Sequence, residues 1–167
     1  RGAADLAHYI EQLSGAKPML VDTKAGIDTQ LSQPGPRLIV GKLALDSKPA
    51  LKEALAKAAK PNPTLRADAT VVQHVGDRIY LAGNNDDAHY YAVATLLNHW
   101  GCRWYMPTEF GECIPSRPEL KLGDLDIAYG SPFEVRKYWI SWNGSNDGQA
   151  EFMHRNFFNE VLVPNGH

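Results

Sequence analysis

The chain has 167 residues, enough to bury one core of ordinary size, and its 44% hydrophobic and 22% charged residues argue against a disordered or fibrous protein. Seventeen basic and nineteen acidic residues give a net charge of −2, which argues against the positive field that nucleic-acid binding uses. A nucleic-acid partner is therefore not expected. The longest apolar stretches, such as Tyr90 to Leu97, are far shorter than the roughly 20 residues of a membrane helix, so no membrane span is expected.

The first 60 residues predict two helices and two short strands. Apolar residues recur at three- and four-residue spacing over residues 3–14, which is typical of an amphipathic helix. Short β-forming runs at 19–23 and 37–41 are predicted to be strands, separated by a loop rich in Ser, Gln, Pro and Gly. A second amphipathic helix is expected over 49–59, with Ser47 as a possible N-cap.

A β-hairpin and a long helix are predicted next. Two β-rich segments, 69–75 and 78–82, flank a Gly-Asp pair that favours a tight turn between antiparallel strands. The polar run 83–87 supplies N-cap candidates for a helix that continues to about Trp100. Because this helix is apolar on nearly every side, we expect it to lie between the sheet and another layer of protein.

Residues after this helix predict little regular structure beyond a short strand at 102–105. Three prolines make 107–118 irregular, and apolar residues over 120–127 indicate an extended stretch. Cys102 and Cys113 are close enough in sequence to form a disulfide, and two ordinary buried thiols are the alternative.

A domain boundary is expected near residue 130, where Gly, Ser and Pro follow one another. Residues 1–130 would form one α+β domain and 131–167 the start of a second. Residues 133–142 are strongly β-forming and apolar on both faces, which predicts a strand buried from two sides. A polar loop and a short helix follow it. One strand and one helix cannot close a core, so the second domain is expected to be incomplete in this chain.

Several sequence strings resemble those of a known group of carbohydrate-active proteins. The most distinctive is WGCRWYMP at 100–107, preceded by AHYYAVATLL at 88–97. These residues resemble the N-terminal domains of β-N-acetylhexosaminidases and α-glucuronidases, and most closely those of uncharacterised bacterial glycan-utilisation proteins in which this domain precedes a barrel. The strings at 13–16, 38–41 and 79–83 follow the same order as in those proteins.

The resemblance implies a small mixed, largely antiparallel sheet with helices packed on one face, followed by the first strand and helix of a (β/α) barrel. It also implies a secreted, periplasmic or cell-surface protein whose partners are a carbohydrate ligand and its own barrel domain. In such barrels the hydrolytic carboxylates lie at the C-terminal ends of the strands. We therefore expect no catalytic residue and no cofactor within these 167 residues.

Four residues are candidates for contact with a sugar. Arg136, in the predicted first barrel strand, matches the position at which hexosaminidases hold sugar hydroxyls with an arginine, and a salt-bridged arginine at a domain seam is the alternative. Trp139 and Trp142, with Tyr138 beside them, could stack on sugar rings or pack in a core. His154 could line the barrel mouth or lie on a helix surface.

The acidic residues and histidines do not form a recognisable catalytic or metal-binding pattern. Asp86 and Asp87 are predicted to cap the long helix, and Glu109 and Glu112 to be solvated loop charges. None of these carboxyls forms a convincing pair for glycoside hydrolysis. The six histidines lack ligand spacing, so no metal site is predicted.

The sequence therefore favours a non-catalytic accessory domain that braces a glycosidase-like barrel. Two other functions are compatible with it. The chain could be a carbohydrate-binding module whose tryptophans form a stacking platform, or a scaffold domain whose apolar helix docks a partner protein.

Overall fold

The computed structural model describes residues 1–137, 148–159 and 161, and all bounds given below refer to that part of the chain. The helices are α1 (Gly2–Ser14), α2 (Lys24–Ser32), α3 (Lys42–Ser47), α4 (Ala50–Ala58), α5 (Asp86–His99) and α6 (Gln149–Arg155). The strands are β1 (Arg37–Val40), β2 (Ala69–Val75), β3 (Arg78–Gly83), β4 (Arg103–Trp104), β5 (Glu112–Cys113) and β6 (Asp126–Gly130). A single 3-10 turn, Glu109–Gly111, precedes β5.

Four strands form a mixed, mainly antiparallel sheet in the order β1-β3-β2-β6. The central hairpin of β2 and β3 is antiparallel, as predicted, and turns at Gly76, whose φ of +62° is accessible to glycine without strain. β6 extends the sheet antiparallel to β2, whereas β1 runs parallel to β3. β4 and β5 pair with each other as a separate two-stranded ribbon. The fold is therefore α+β, as expected.

Helices cover both faces of the sheet, so the prediction of helices on one face is wrong. Val72 and Leu81 are buried on the face that packs against α1 and α5. Val71 and Ala82, their neighbours in the chain, are buried on the opposite face with Leu51 and Leu55 of α4. The physical reason is visible in the strands, which carry consecutive apolar residues rather than an apolar and polar alternation.

The long apolar helix α5 lies between the sheet and another layer of protein, as predicted, and that layer belongs to this chain. It packs on β2 and β3 on one side and on α1 and α6 on the other, so this chain itself covers its apolar surface. Asn85 caps its N-terminus by accepting a hydrogen bond from the Ala88 amide at 2.9 Å. The backbone of β3 approaches the helix so closely that a Cβ on Gly83 would lie 2.1 Å from the Ala88 carbonyl carbon. This contact fixes the end of β3 against the start of α5.

The N-terminal half differs from the prediction in two places. Residues 19–23 are not a strand, and the chain forms α2 instead, capped by the Thr23 hydroxyl. Helix α2 buries none of its residues, which explains why hydrophobic periodicity did not predict it. Ser47 ends α3 rather than capping the next helix, which begins at Ala50 after Pro49.

The C-terminal third also departs from the expected pattern. The extended stretch at 120–127 is irregular until Asp126, where β6 begins. Residues 133–137 are irregular rather than β-strand, and 138–142, the rest of that predicted strand, lie outside the described residues. The short helix predicted after the polar loop is confirmed as α6. Within the described residues, no helix has the length and apolar character needed to cross a membrane.

Candidate functional site

A buried carboxylate, Asp68, lies immediately before β2 at the edge of the sheet that faces the start of α5. Only 4% of this residue is exposed. Side chains from three other parts of the chain converge on it, from the α5 cap and from the two segments on either side of 138–147. We call Asp68 and the four residues that bind its carboxylate the Asp68 cluster: Asp68, Arg66, Asn85, Arg136 and Asn159.

The carboxylate of Asp68 accepts four hydrogen bonds. Its Oδ1 accepts from Arg66 Nε at 2.5 Å and from Asn85 Nδ2 at 2.8 Å. Its Oδ2 accepts from Arg136 Nη2 at 2.5 Å and from Asn159 Nδ2 at 3.1 Å. Burial by itself would raise the pKa of Asp68, but these donors, with Arg136 the strongest, outweigh burial and lower the pKa below its usual value. The cluster therefore holds a buried, ionised carboxylate.

Arg136, the first predicted sugar contact, is held by this chain through all three nitrogens of its guanidinium. Besides Asp68, it donates from Nε to the Phe157 carbonyl at 2.6 Å and from Nη1 to the Phe133 carbonyl at 2.8 Å. The guanidinium also lies over the Tyr91 ring, 5.4 Å from its centroid, and 16% of the side chain is exposed. This is the salt-bridged arrangement of the alternative interpretation, and contact with a sugar stays a prediction.

Asn159 joins the two C-terminal segments to each other. Its backbone N–H donates to the Arg136 carbonyl at 2.8 Å, and its Oδ1 accepts from the Arg136 amide at 3.1 Å. Its Nδ2 also donates to the Glu134 carbonyl at 2.9 Å. The polar groups of this fully buried asparagine are therefore hydrogen-bonded to residues 134–136, in a manner similar to the pairing of neighbouring strands.

Glu134 makes a second attachment, between the same segment and the loop before β2. Its carboxylate forms an ion pair with Lys60 and accepts the backbone N–H groups of Thr64, Leu65 and Arg66 at 3.2, 2.5 and 3.1 Å. The Lys60 ammonium first, and then these amides, lower the pKa of Glu134 to about 2. The loop before β2 thus binds Glu134 as an anion.

His154, on α6, lies at the rim of a cleft of about 450 Å³ beside the start of α5. Its Nε2 is 3.3 Å from Oδ1 of Asp87, whose Oδ2 accepts from Arg66 Nη2 at 2.7 Å. Through Asp87 and Arg66, His154 is connected to the same cluster as Arg136. The Nδ1 of His154 is buried without a hydrogen-bond partner. Trp139 and Trp142, the other two predicted contacts, lie outside the described residues.

The predicted roles of the acidic residues are corrected in part. Asn85, not Asp86 or Asp87, accepts the capping hydrogen bond of α5. Glu112 is not a solvated loop charge, because it accepts from the Tyr9 hydroxyl at 2.5 Å and from Arg155 Nη1 at 3.0 Å. Its partners come from α1 and α6, far away in sequence, so no local pattern indicated them. Glu109 is exposed, as expected.

The two cysteines do not form a disulfide in the structure. Cys102 is buried and Cys113 is exposed, and both are free thiols. Burial raises the pKa of Cys102 to about 11, which makes its thiol unreactive near neutral pH. Within the described residues, no three His, Cys, Asp or Glu side chains are grouped in a way that could hold a metal ion.

Sequence reasoning missed most of the Asp68 cluster. Asp68 and Arg66 stand in the short polar string RADAT before an apolar strand, where a loop charge is the ordinary expectation. Asn159 follows α6 in a string with no distinguishing feature. The one usable signal was Arg136 itself, because an arginine in a segment that is predicted to be buried needs a buried acceptor, and an acid beside a buried strand could supply it.

The pKa values of Asp68 and Glu134 are shifted in the opposite direction from that of a glycosidase general acid. A general acid needs a pKa raised towards neutrality, whereas the pKa values of Asp68 and Glu134 are lowered. The two carboxylates therefore support attachment between segments of the chain rather than acid–base chemistry.

No match to this chain was found among family models, curated proteins or solved structures.

Acid should destabilise the fold between about pH 4.5 and pH 2. The pKa of Glu134 falls from its usual 4.5 to about 2 on folding, so the folded state binds this proton more weakly than the unfolded state. Its stabilisation is therefore complete above pH 4.5 and is lost as the pH falls towards 2, and Asp68 acts in the same direction. Urea unfolding from pH 2 to 7 should show a shallower acid decline for Glu134→Gln than for wild type.

The control for this measurement is Glu109→Gln, which neutralises an exposed glutamate of the same chain. Its stability curve should run parallel to that of the wild type. Identical acid declines for wild type and Glu134→Gln would show that the Glu134 attachment does not contribute to stability.

Proposed function

We propose that this chain is the accessory domain of a glycosidase-like protein and that it precedes the catalytic domain, as in hexosaminidases. Its role in this proposal is to position the start of that catalytic domain. In this proposal the α+β domain is a rigid base, and the segment after residue 130 is the connection to a barrel. The carbohydrate substrate and an extracytoplasmic location belong to the same proposal. They are supported by the resemblance of the strings around 88–107.

The observation that carries the proposal is the attachment of residues 131–137 to the α+β domain through oppositely charged groups. Glu134 is bound by Lys60 and three amides of the domain, whereas Arg136 is bound by the domain's Asp68. Two attachments of opposite polarity, two residues apart, define both the position and the direction of the segment. A flexible linker would not be held at two points in this way. Fixing the backbone of each residue costs about 1–2 kcal/mol of conformational entropy, which the two attachments must offset.

Arg136 is a positioning residue in this proposal. Its guanidinium is already bonded to Asp68 and to two carbonyls, so it has little remaining capacity to bind a ligand. Its effect on a sugar site would be indirect, through the segment that it anchors. A misplacement of about 1 Å in a catalytic strand can reduce the rate about a hundredfold. The accessory domain would therefore affect kcat without contacting the substrate.

The proposal is tested with the full-length product of the gene and with the 167-residue chain, each assayed against 4-nitrophenyl hexosaminides and glucuronides. We expect hydrolysis by the full-length protein and none by the chain alone. Asp68→Asn in the full-length protein should lower kcat and the temperature of inactivation with little change in KM. Asp124→Asn, at an exposed acid, is the matched control. Hydrolysis by the chain alone, or a reading frame ending near His167, would refute the proposal.

A further inference from the structure

Three consecutive backbone N–H groups in the loop between α4 and β2 point at one carboxylate. The N–H groups of Thr64, Leu65 and Arg66 donate to Glu134 at 3.2, 2.5 and 3.1 Å. Lys60, earlier in the same loop, forms an ion pair with this carboxylate. Consecutive N–H groups that converge in this way form a concave anion-binding site, a nest. We call Lys60 and residues 64–66 the carboxylate nest.

The nest binds both oxygens of the carboxylate. Oε1 of Glu134 accepts from Lys60 Nζ and from the Thr64 N–H, and Oε2 accepts from the next two N–H groups. Hydrogen bonds to an ionised acceptor are about twice as strong as those between neutral groups. All four donors reach the carboxylate oxygens and none reaches another part of Glu134. The nest therefore recognises the carboxylate group itself.

The shape of the nest is set by its own sequence. Pro61 and Pro63 fix the backbone before the three donors, because the ring of proline holds φ near about −65°. Asn62, between them, has a φ of +50°, in the left-handed region that asparagine enters more readily than most residues. After the donors, the Arg66 side chain is held by Asp68 at 2.5 Å. We therefore expect the nest to keep its shape when its carboxylate is removed.

The nest is open to solvent on its outer side. Residues 61–65 are exposed, and 35% of the Lys60 side chain is exposed. Within the part of the chain that the structure describes, the three N–H groups of the nest have no acceptor other than Glu134. Donors that lose their acceptor need a replacement, since an unmade hydrogen bond is costly. At an exposed loop, that replacement can come from solution.

We propose that the carboxylate nest is a binding site for the carboxylate of another molecule, and that Glu134 is a competitor built into this chain. Backbone nests capture free carboxylates, including the C-terminal carboxylate of a peptide, in other recognition systems. A carboxylate that displaces Glu134 removes one of the two charged attachments of residues 131–137 and leaves the one between Arg136 and Asp68. This inference uses only contacts of the loop and does not depend on the proposed function.

The short tether of Glu134 sets the affinity of the nest for a free carboxylate. The N–H of Ser131, three positions before Glu134, donates to the Asp68 carbonyl at 3.1 Å. Gly130 lies so close to α4 that a Cβ there would be 1.9 Å from the Ala58 carbonyl oxygen. Glu134 is therefore held near the nest at an effective concentration of at least about millimolar. We expect weak binding of a free carboxylate by the wild type, and binding about tenfold tighter or more once Glu134 is removed.

The test compares two variants that remove the charge of Glu134 but differ in the space that they leave. Glu134→Ala empties the nest, whereas Glu134→Gln fills it with an uncharged side chain of nearly the same shape. Each variant and the wild type are titrated with sodium acetate and, at equal ionic strength, with sodium chloride. Acetamide, a neutral analogue of acetate, tests the need for charge. NMR follows the backbone N–H of Leu65, and thermal unfolding measures stability.

In Glu134→Ala, acetate should move the Leu65 N–H resonance saturably towards its wild-type position. At about ten times its dissociation constant, acetate should raise the unfolding midpoint of this variant by about 3–6 °C. Chloride and acetamide should do neither. Glu134→Gln and the wild type should bind acetate about tenfold more weakly or less. Adding Lys60→Met to Glu134→Ala should weaken acetate binding about tenfold, because the cation is lost.

Triglycine with a free C-terminus distinguishes the two sources of a carboxylate. Tighter binding than acetate in Glu134→Ala would indicate the end of a peptide chain, and equal binding would indicate a small acid.

Two results would overturn this inference. The first is an effect of acetate on Glu134→Ala no larger than that of chloride. The second is equal acetate binding by Glu134→Ala, Glu134→Gln and the wild type, which would place the acetate elsewhere on the protein. If Glu134→Ala is too unstable to purify, refolding it with acetate and with chloride makes the same comparison. Recovery with acetate alone supports the site, and equal recovery with both salts refutes it.

Discussion

Replacing Asp68 with asparagine is expected to lower the free energy of unfolding by about 3–5 kcal/mol, although the two side chains have nearly the same shape. The substitution leaves Arg136 in a buried site without the carboxylate that it binds, whereas Arg66 keeps an ion pair with Asp87 at 2.7 Å. It also turns an acceptor into an amide whose N–H₂ group must face guanidinium and amide donors. The loss is large because removing the carboxylate leaves the Arg136 guanidinium in a buried site without a counter-ion.

Urea unfolding at pH 7 measures this loss, and Asp124→Asn is the control. Asp124 is an exposed aspartate, so its replacement should change stability by no more than about 0.5 kcal/mol. The slope of unfolding free energy against urea concentration should stay the same in both variants if each unfolds in one step. A loss below about 1 kcal/mol for Asp68→Asn would mean that solvent reaches the cluster and compensates the two arginines.

The local part of the fold was predictable from the sequence because its signals are contained in short windows. The β2–β3 hairpin follows from two β-rich runs around Gly76, where the turn needs a positive φ. Helix α5 follows from a polar start at Asn85 and an apolar run that ends at Gly101. In each case the residues that decide the structure are within about 15 positions of one another.

The sequence also contained a signal that both faces of the sheet are buried, but the prediction did not use it. Val71-Val72 and Leu81-Ala82 are consecutive apolar pairs, and a strand exposed on one face would place a polar residue in each pair. The resemblance to domains with helices on one face favoured the wrong arrangement. Consecutive apolar residues in a strand are a better guide to the layers of a fold than a resemblance to other domains.

The Asp68 cluster was not predictable because its members are brought together only by the tertiary fold. Asp68 and Arg136 are 68 positions apart, and Asp68 and Asn159 are 91 positions apart. The sequence indicates that a charged residue is present, but not whether it is solvated or paired in the interior. Arg136 was singled out as a sugar contact, which stays a prediction, and its partner Asp68 could not be named from the sequence.

Replacing Arg136 with methionine should lower the free energy of unfolding by about 3 kcal/mol, close to the lower limit for breaking a buried ion pair. The loss is smaller than for Asp68→Asn because Asp68 keeps Arg66 as a cation at 2.5 Å. Methionine retains much of the apolar stem of arginine, so the variant mainly removes the charge and its hydrogen bonds. Lys137→Met, at the exposed neighbouring residue, should have little effect and is the control.

The double variant Asp68→Asn with Arg136→Met tests whether the two residues act together. If the ion pair at 2.5 Å attaches the 131–137 segment to the residues before β2, the second substitution removes an interaction that the first has already broken. The loss in the double variant should then be about 1–3 kcal/mol less than the sum of the single losses. The backbone N–H of Asn159 donates to the Arg136 carbonyl, so its hydrogen exchange should accelerate in all three variants. The backbone N–H groups of β2 and β3 should stay protected. Additive losses would instead mean that each residue stabilises its own surroundings, and the proposed accessory role would then need another attachment.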